Sequence, residues 1–408
     1  METRILLNNI YVYFICFTIF YPYVITSPFA TGNQPGFMIL AIISCVAIKK
    51  WPDYLVYLST AAIFAFTLAL FDLSFTALRA CASYFVLPLT LAIIPKFIAS
   101  YSAQFKRLLV FSIFLWLSLG LYQNYFDSYF LSEYISGGRT TAERGVFSFA
   151  PEPSYYGLTM VFYLLISAKL LSKRTNIIVI PLIIFQIVFL SKSFLAIASL
   201  IIIIGYYIIF VQKMVLIMGL LSLNLFLLLR YWSDYILYNY HSRYIKLLYM
   251  LIENPINLFK RDESGNDRIG HIFASFYGFL KDFGMPHGFS SYPAFIEQYI
   301  KILDFFSKNN YFTSGRIMSF YGTCLFELGI IGLLIIIAIN KIIIFCTACN
   351  KEQRWFWLAS LNSLLLLPIP LGSPLVGLML ATLIVTSKAQ TRELSQNEKP
   401  PPENNLMP

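Results

Sequence analysis

Apolar runs of membrane-crossing length recur along almost the whole chain, and this recurrence constrains the fold more than any motif does. Near the middle, "IIVIPLIIFQIVFL" is followed almost at once by "FLAIASLIIIIGYYIIFVQ". A helix needs about 20 mostly apolar residues to cross a bilayer. Of the 408 residues, 58% are hydrophobic and only 12% are charged, whereas soluble domains carry about 25% charged residues. The sequence therefore predicts an all-α, polytopic membrane protein.

Counting apolar segments between polar gaps gives about 12 spans, at approximately 6–27, 36–48, 54–71, 77–94, 108–123, 154–171, 177–190, 194–212, 214–231, 318–340, 355–370 and 374–387. The first, "METRILLNNIYVYFICFTIFYPYVI", is read as a retained span, because its apolar part is too long for a signal peptide and no small-residue cleavage site follows it. The net charge of +10 sorts by location. Lys49 and Lys50, Lys96, Lys106 and Arg107, Lys173 and Arg174, Lys213, Lys351 and Arg354, and Lys388 and Arg392 fill alternate short gaps. By the positive-inside rule those gaps face the cytoplasm, as do both termini. The charge thus reports topology and implies no nucleic-acid partner.

The expected organisation is one integral membrane domain over 1–387, with a polar, Pro-rich and disordered tail over 388–408. Two outer segments are too long for simple connections, 124–153 and 232–317. Within the second, "HIFASFYGFLKDF" has the spacing of an amphipathic helix on or near the membrane. The six cysteines all sit in or beside apolar segments and read as small hydrophobes. Cys346 and Cys349 form a single C-x-x-C without the second pair a metal site would need.

The ionisable groups that do not anchor topology gather on the outer face. One loop holds Arg139, Arg144 and Glu152; the other holds His241, His271, His287, Arg243, Arg261, Arg268 and Arg316. Loops need charge for solubility, but the prevalence of arginine is specific. A guanidinium donates paired hydrogen bonds to phosphate and stays charged in a poorly hydrated site. Several arginines at a membrane face therefore suit a lipid-linked phosphate or pyrophosphate. Glu152, between Pro151 and Pro153, has a restricted backbone and is placed to orient an arginine or accept a proton. Arg79 lies about a turn inside a span, where an arginine costs roughly 2.5–3.5 kcal/mol; it either faces the bundle interior or snorkels outward. Lys192 marks a tight outer turn. Glu327 sits inside a span, where a carboxylate needs a partner, and an outer-loop arginine is the expected one. The sequence contains no P-loop, no Gly-rich dinucleotide motif and no D-x-D pair for a metal-bound sugar nucleotide, so no cofactor is implied.

Three stretches together resemble the O-antigen polymerase (Wzy) family, within the wider O-antigen ligase/polymerase superfamily: "RGVFSFAPEPSYYG", "DRIGHIFASFYGFLKDFGMPHGFSSY" and "SFYGTCLFELGIIGLL". The span number and the two enlarged loops resemble it as well. The resemblance implies that Arg144 is the arginine ahead of E-P-S, Glu152 its acid, Arg268 the second-loop arginine, and Glu327 with Gly329 the E-x-G pair. It further implies a glycosyltransferase at the periplasmic face of the bacterial inner membrane. Such an enzyme joins undecaprenyl-pyrophosphate-linked repeat units and needs no metal, and a polysaccharide chain-length regulator is a partner. Its arginines, here Arg79, Arg139, Arg144, Arg268 and Arg316, would bind the substrate, while Glu152, His271 and Glu327 remain open as the base. Ligases of the superfamily carry a histidine upstream of the E-x-G glutamate, at the position occupied here by Met318, which favours polymerase over ligase. A polysaccharide flippase is the alternative from another class; transporters place charges near the midplane and show repeat symmetry, and this chain shows neither clearly.

Overall fold

The computed structural model describes residues 2–26, 35–45, 52–141, 144–216, 263–299, 316–348 and 350–397, together with isolated positions between 219 and 231. Every regular element in it is helical. In chain order these are α1 (Glu2–Phe20), α2 (Gly36–Cys45), α3 (Tyr54–Phe71), α4 (Phe75–Ser100), α5 (Ser102–Tyr125), α6 (Pro153–Leu170), α7 (Lys173–Phe185) and α8 (Phe194–Tyr206). After the undescribed stretch come α9 (Glu263–Lys281), α10 (Tyr292–Tyr299), α11 (Phe320–Leu328), α12 (Leu333–Cys346), α13 (Lys351–Leu365) and α14 (Pro374–Asn397). Among the described residues, six segments are long and apolar enough to cross a membrane: Tyr54–Phe71, Phe75–Ser100, Ser102–Tyr125, Lys173–Ser191, Phe194–Val211 and Phe320–Cys346. The protein is a helical membrane protein.

Apolar helices gain little from each other's apolarity in lipid, so close packing and interhelical hydrogen bonds must hold them together. Both are concentrated around α6, which is buried along most of its length and packs against α7, α8 and α14. Trp116 of α5 stacks on Tyr156 at 5.4 Å and on Tyr21 at 6.1 Å. The Trp116 indole N–H and the Tyr163 hydroxyl both donate to the Phe20 carbonyl, at 3.2 and 2.8 Å, satisfying the end of α1. A second polar joint ties α11, α12 and α13: Tyr321 donates to Asn362 Oδ1 at 2.6 Å, and Asn362 donates to Asn340 Oδ1 at 2.8 Å.

The segment after α5 is folded back into the bundle. The Gln123 side chain accepts from the Ser148 N–H at 2.7 Å and donates to the Phe130 carbonyl at 2.9 Å. Ser148 Oγ donates to the Trp116 carbonyl at 2.9 Å, and Phe147 and Ala150 are fully buried. Gly145 lies so close to the turn after α7 that a Cβ there would stand 2.1 Å from the Ser191 carbonyl oxygen. Val146 N–H donates to the Leu190 carbonyl at 2.9 Å in the same contact.

Between α11 and α12 the apolar run is interrupted. Gly329 has φ +59° and ψ −139°, and a short 3₁₀ turn follows over Gly329–Gly332. The loop after α9 packs its backbone onto this corner: Ile330 N–H donates to the Gly284 carbonyl at 2.8 Å, and Gly288 N–H to the Glu327 carbonyl at 3.2 Å. The expected amphipathic helix exists as α9, and its Ser275 and Gly278 pack on Gly322 and Phe326 of α11. Residues 388–397, expected to be disordered, continue α14 instead; "KAQTRELSQN" contains neither Pro nor Gly, and the prolines that would stop a helix begin only at Pro400. Residues 398–408, and with them the rest of the tail, lie outside the described residues.

Candidate functional site

Glu152 is placed by two prolines. Pro153 opens α6 as its first residue, a position where the missing N–H costs nothing, and Pro151 accepts from the Arg139 N–H at 2.9 Å, closing the loop on itself. The Glu152 carboxylate therefore projects at the N-terminal end of α6, with 13% of its side chain exposed. Arg139 donates from Nε to Glu152 Oε1 at 2.8 Å, and its Nη2 converges on the same oxygen. From the other loop, Arg268 Nη2 donates to Ser154 Oγ at 2.9 Å and reaches Glu152 Oε2 at 3.4 Å. One carboxylate thus joins an arginine from the segment after α5 to an arginine of α9. The two arginines are not equivalent, since Arg139 is 77% exposed and Arg268 only 17%.

The positive field extends beyond this pair. The charges of Arg139, Glu152, Arg268 and Arg316 all act on the Tyr155 phenol, one turn into α6. Arg316 in turn lies within electrostatic reach of the half-buried Arg79 of α4. Arg139, Arg268 and Arg316 thus lie in one region with Glu152, and Arg79 lies near Arg316. Such a surplus, at the end of a helix bundle, is suited to hold an anion carrying more than one charge.

Arg144 is positioned differently. It is exposed and sits at the Leu190–Lys192 turn, against which the next residue, Gly145, is packed. Lys192 is itself exposed and adopts a left-handed conformation, φ +46°, between the π-helical end of α7 and the start of α8. The sequence therefore located the Lys192 turn, and the structure places Arg268 on Glu152 and Ser154, contacts that the sequence did not assign to it.

The other two candidate bases sit in different surroundings. His271 is fully buried; its Nδ1 lies 2.7 Å from Tyr292 Oη, and its Nε2 lies 3.1 Å from Asp267 Oδ1. Tyr292 Oη also reaches the His271 carbonyl at 3.3 Å. Burial, and then the Asp267 charge, raise the Tyr292 phenol above its ordinary range, so its hydroxyl stays a donor. This geometry makes His271 the pin that holds α10 on α9.

Among the described residues the hydrogen-bond partner of Glu327 is Tyr84 of α4, which donates its hydroxyl to Glu327 Oε2 at 2.8 Å. Tyr84 is 3% exposed and packs near Phe289 of the loop that covers the corner. That loop is held from both ends. Ser290 Oγ donates to Asp72 Oδ2 at 2.6 Å, and the His287 ring stacks on Phe326 at 4.1 Å with Nε2 2.7 Å from Asp282 Oδ2. Tyr84, Asp72 and Ser290 carried no visible signal in the sequence. Ser154 did, as the serine of the Glu-Pro-Ser stretch. His241, Arg243 and Arg261 lie outside the described residues.

No family model matches the chain, and no curated protein matches it.

Proposed function

We propose that this chain is a glycosyltransferase acting on polyprenyl-pyrophosphate-linked oligosaccharides, specifically an O-antigen-type polymerase with about 12 spans in the bacterial inner membrane and both termini in the cytoplasm. The observation that carries the proposal is the Arg139–Glu152–Arg268 joint, which unites the two outer segments, with Arg316 and Arg79 close by. The donor is already activated. The bond between the anomeric carbon of its sugar and the pyrophosphate oxygen breaks, a hydroxyl of the acceptor unit forms the new glycosidic bond, and the hydroxyl proton passes to a base. Preorganised guanidiniums suit the charge that develops on the departing pyrophosphate. Glu152 is neutralised by two arginines and serves best as their clamp. Glu327, without a cationic partner among the described residues, is the better candidate to take the proton.

The membrane-bound substrate accounts for the location. Its tail lies in the bilayer and its pyrophosphate at the depth where α4 and α6 begin, so cations are needed at an apolar boundary. A ligase would use the same cluster and is the second reading, set back by Met318 at the position of the ligase histidine. A flippase would need no joint between two outer loops.

The test is the surface and carrier-linked glycan of a deletion strain, complemented with wild type or with Arg268→Ala at equal protein level. Lipopolysaccharide bearing single repeat units without a ladder is the expected result for both the deletion and the variant. Bare core with full-length polymer on the carrier would identify a ligase. An unchanged ladder would overturn the proposal.

A further inference from the structure

Six aromatic rings crowd the 13 residues at the outer end of α5: Tyr122, Tyr125, Phe126, Tyr129, Phe130 and Tyr134. They are not core residues, because their exposures run from 38% for Phe130 to 80% for Phe126. They do form a group: Tyr122 lies 5.2 Å from Phe126 and 4.4 Å from Phe130. Exposed apolar surface of this density marks an interaction site more often than a random scatter.

The bland explanation is an interfacial belt, since tyrosines collect at the headgroup level of membrane proteins. Three observations favour a different use. First, α5 has 24 residues and so measures about 36 Å, against about 30 Å of hydrocarbon, which leaves about one turn of helix for the headgroup layer. Second, the rings alternate with the exposed polar residues Asn124, Asp127, Ser128 and Glu133, which belong in water. Third, the backbone beneath them is rigid. Asp127 Oδ1 accepts from the Tyr129 N–H at 2.9 Å, Gln123 holds the Phe130 carbonyl, and Tyr134 and Ser136 pair with Ile25 and Tyr23 at 2.9 and 3.0 Å. Rigid tyrosines on a fixed frame are a recognition surface obtained at little entropic cost.

The surface leads into the arginine cluster. The Tyr129 hydroxyl donates to the Thr140 carbonyl at 3.1 Å, and Thr140 adjoins Arg139, which grips Glu152. Flat rings interspersed with amide, hydroxyl and carboxylate groups are complementary to pyranose sugars. Such sugars present C–H faces to an aromatic ring and hydroxyls around its edge. We infer that residues 122–134 form an oligosaccharide-binding shelf, which holds the glycan of the lipid-linked substrate while its pyrophosphate lies among the arginines. This inference rests on the proposed function for the identity of the glycan, but the binding itself is measurable without catalysis.

The experiment uses the full-length protein in lipid nanodiscs and saturation-transfer NMR. Its probe is the oligosaccharide released by mild acid from the source strain's surface polysaccharide. The paired substitution Tyr125→Leu with Tyr129→Leu keeps the surface apolar and removes two flat rings; Tyr125→Phe with Tyr129→Phe keeps the rings. The leucine variant should bind roughly ten-fold more weakly, as the loss of two aromatic contacts implies, and the phenylalanine variant should stay near wild type. In cells, the leucine variant should yield shorter chains at normal protein level. Absence of transfer to wild type, or equal transfer to the leucine variant, would overturn the shelf and identify the rings as a lipid belt. If wild type binds the probe but the deletion strain keeps its ladder, the shelf stands and the polymerase reading fails.

Discussion

Two carboxylates at the ends of different helices have opposite surroundings. Glu152, at the start of α6, is held between two guanidiniums. Glu327, at the corner between α11 and α12, has a tyrosine hydroxyl as its only described polar partner. Both stand in short motifs with the same look, an acid beside a proline or a glycine near an apolar run. Their surroundings separate them into different chemistry. A carboxylate saturated by cations is a clamp for those cations, while one that meets only a hydroxyl keeps capacity for a proton. The difference also extends to the loops: the first segment is bound into the bundle through Gln123 and Ser148, while the second is laid across a helix break.

The comparison is broken most severely by Arg268→Ala. If the buried arginine holds the departing pyrophosphate, glycan transfer should fall by about 10²–10³-fold, and Lys should not restore it because an ammonium is a point charge without the second planar donor that a guanidinium offers to a phosphate. Arg139→Ala removes a pair on a largely exposed side chain, and exposed pairs contribute about 0–1 kcal/mol, so it should cost less than about ten-fold. Equal losses in quantified ladders would show that exposure does not rank the two arginines.

Next in size is the corner itself. Gly329 occupies a backbone region that side chains avoid, and a Cβ there would lie 2.2 Å from the Gly284 carbonyl oxygen. Gly329→Ala should destabilise the protein by roughly 2–4 kcal/mol, read as a lower melting temperature in detergent. The loop over Gly284–Gly288 should then become protease-sensitive. A thermally normal variant would mean that the corner does not depend on this contact.

Tyr84→Phe sharpens the comparison on the Glu327 side. Leaving a half-buried acceptor without its donor costs about 1–3 kcal/mol. Glu327→Gln keeps an acceptor for the Tyr84 hydroxyl and should cost less stability while losing transfer. If Tyr84→Phe and Glu327→Gln are both silent in stability and activity, Glu327 is a bystander.

The smallest effect concerns Asp72, in the turn between α3 and α4. Hydrogen bonds from Ser290 and Ser74 hold its carboxyl below the usual carboxylate range. Because its acidity is increased by folding, its contribution is complete at neutral pH and fades as pH falls below the ordinary range, about 4 for a free aspartate. Hydrogen exchange in residues 284–291 should therefore rise on acidification, and Ser290→Ala should abolish that dependence without affecting the Arg268 side.

Membrane residence, helical class and six of the expected span-length segments were legible in the sequence, because hydrocarbon thickness imposes a length and a polarity that show in any single segment. Glu152 was legible too, through the prolines on either side. The pairings were not. Periodicity and charge rules describe how one segment meets lipid or water; they say nothing about which side chains from distant segments meet one another. Thus Arg268 is found on Glu152, Tyr84 emerges from an apolar run to meet Glu327, and His271 is turned inward by Tyr292. Those assignments required α4, α6, α9 and α11 to be packed, since hydrogen-bond geometry at a few ångströms is decided by how helices cross and where Gly329 lets the chain turn.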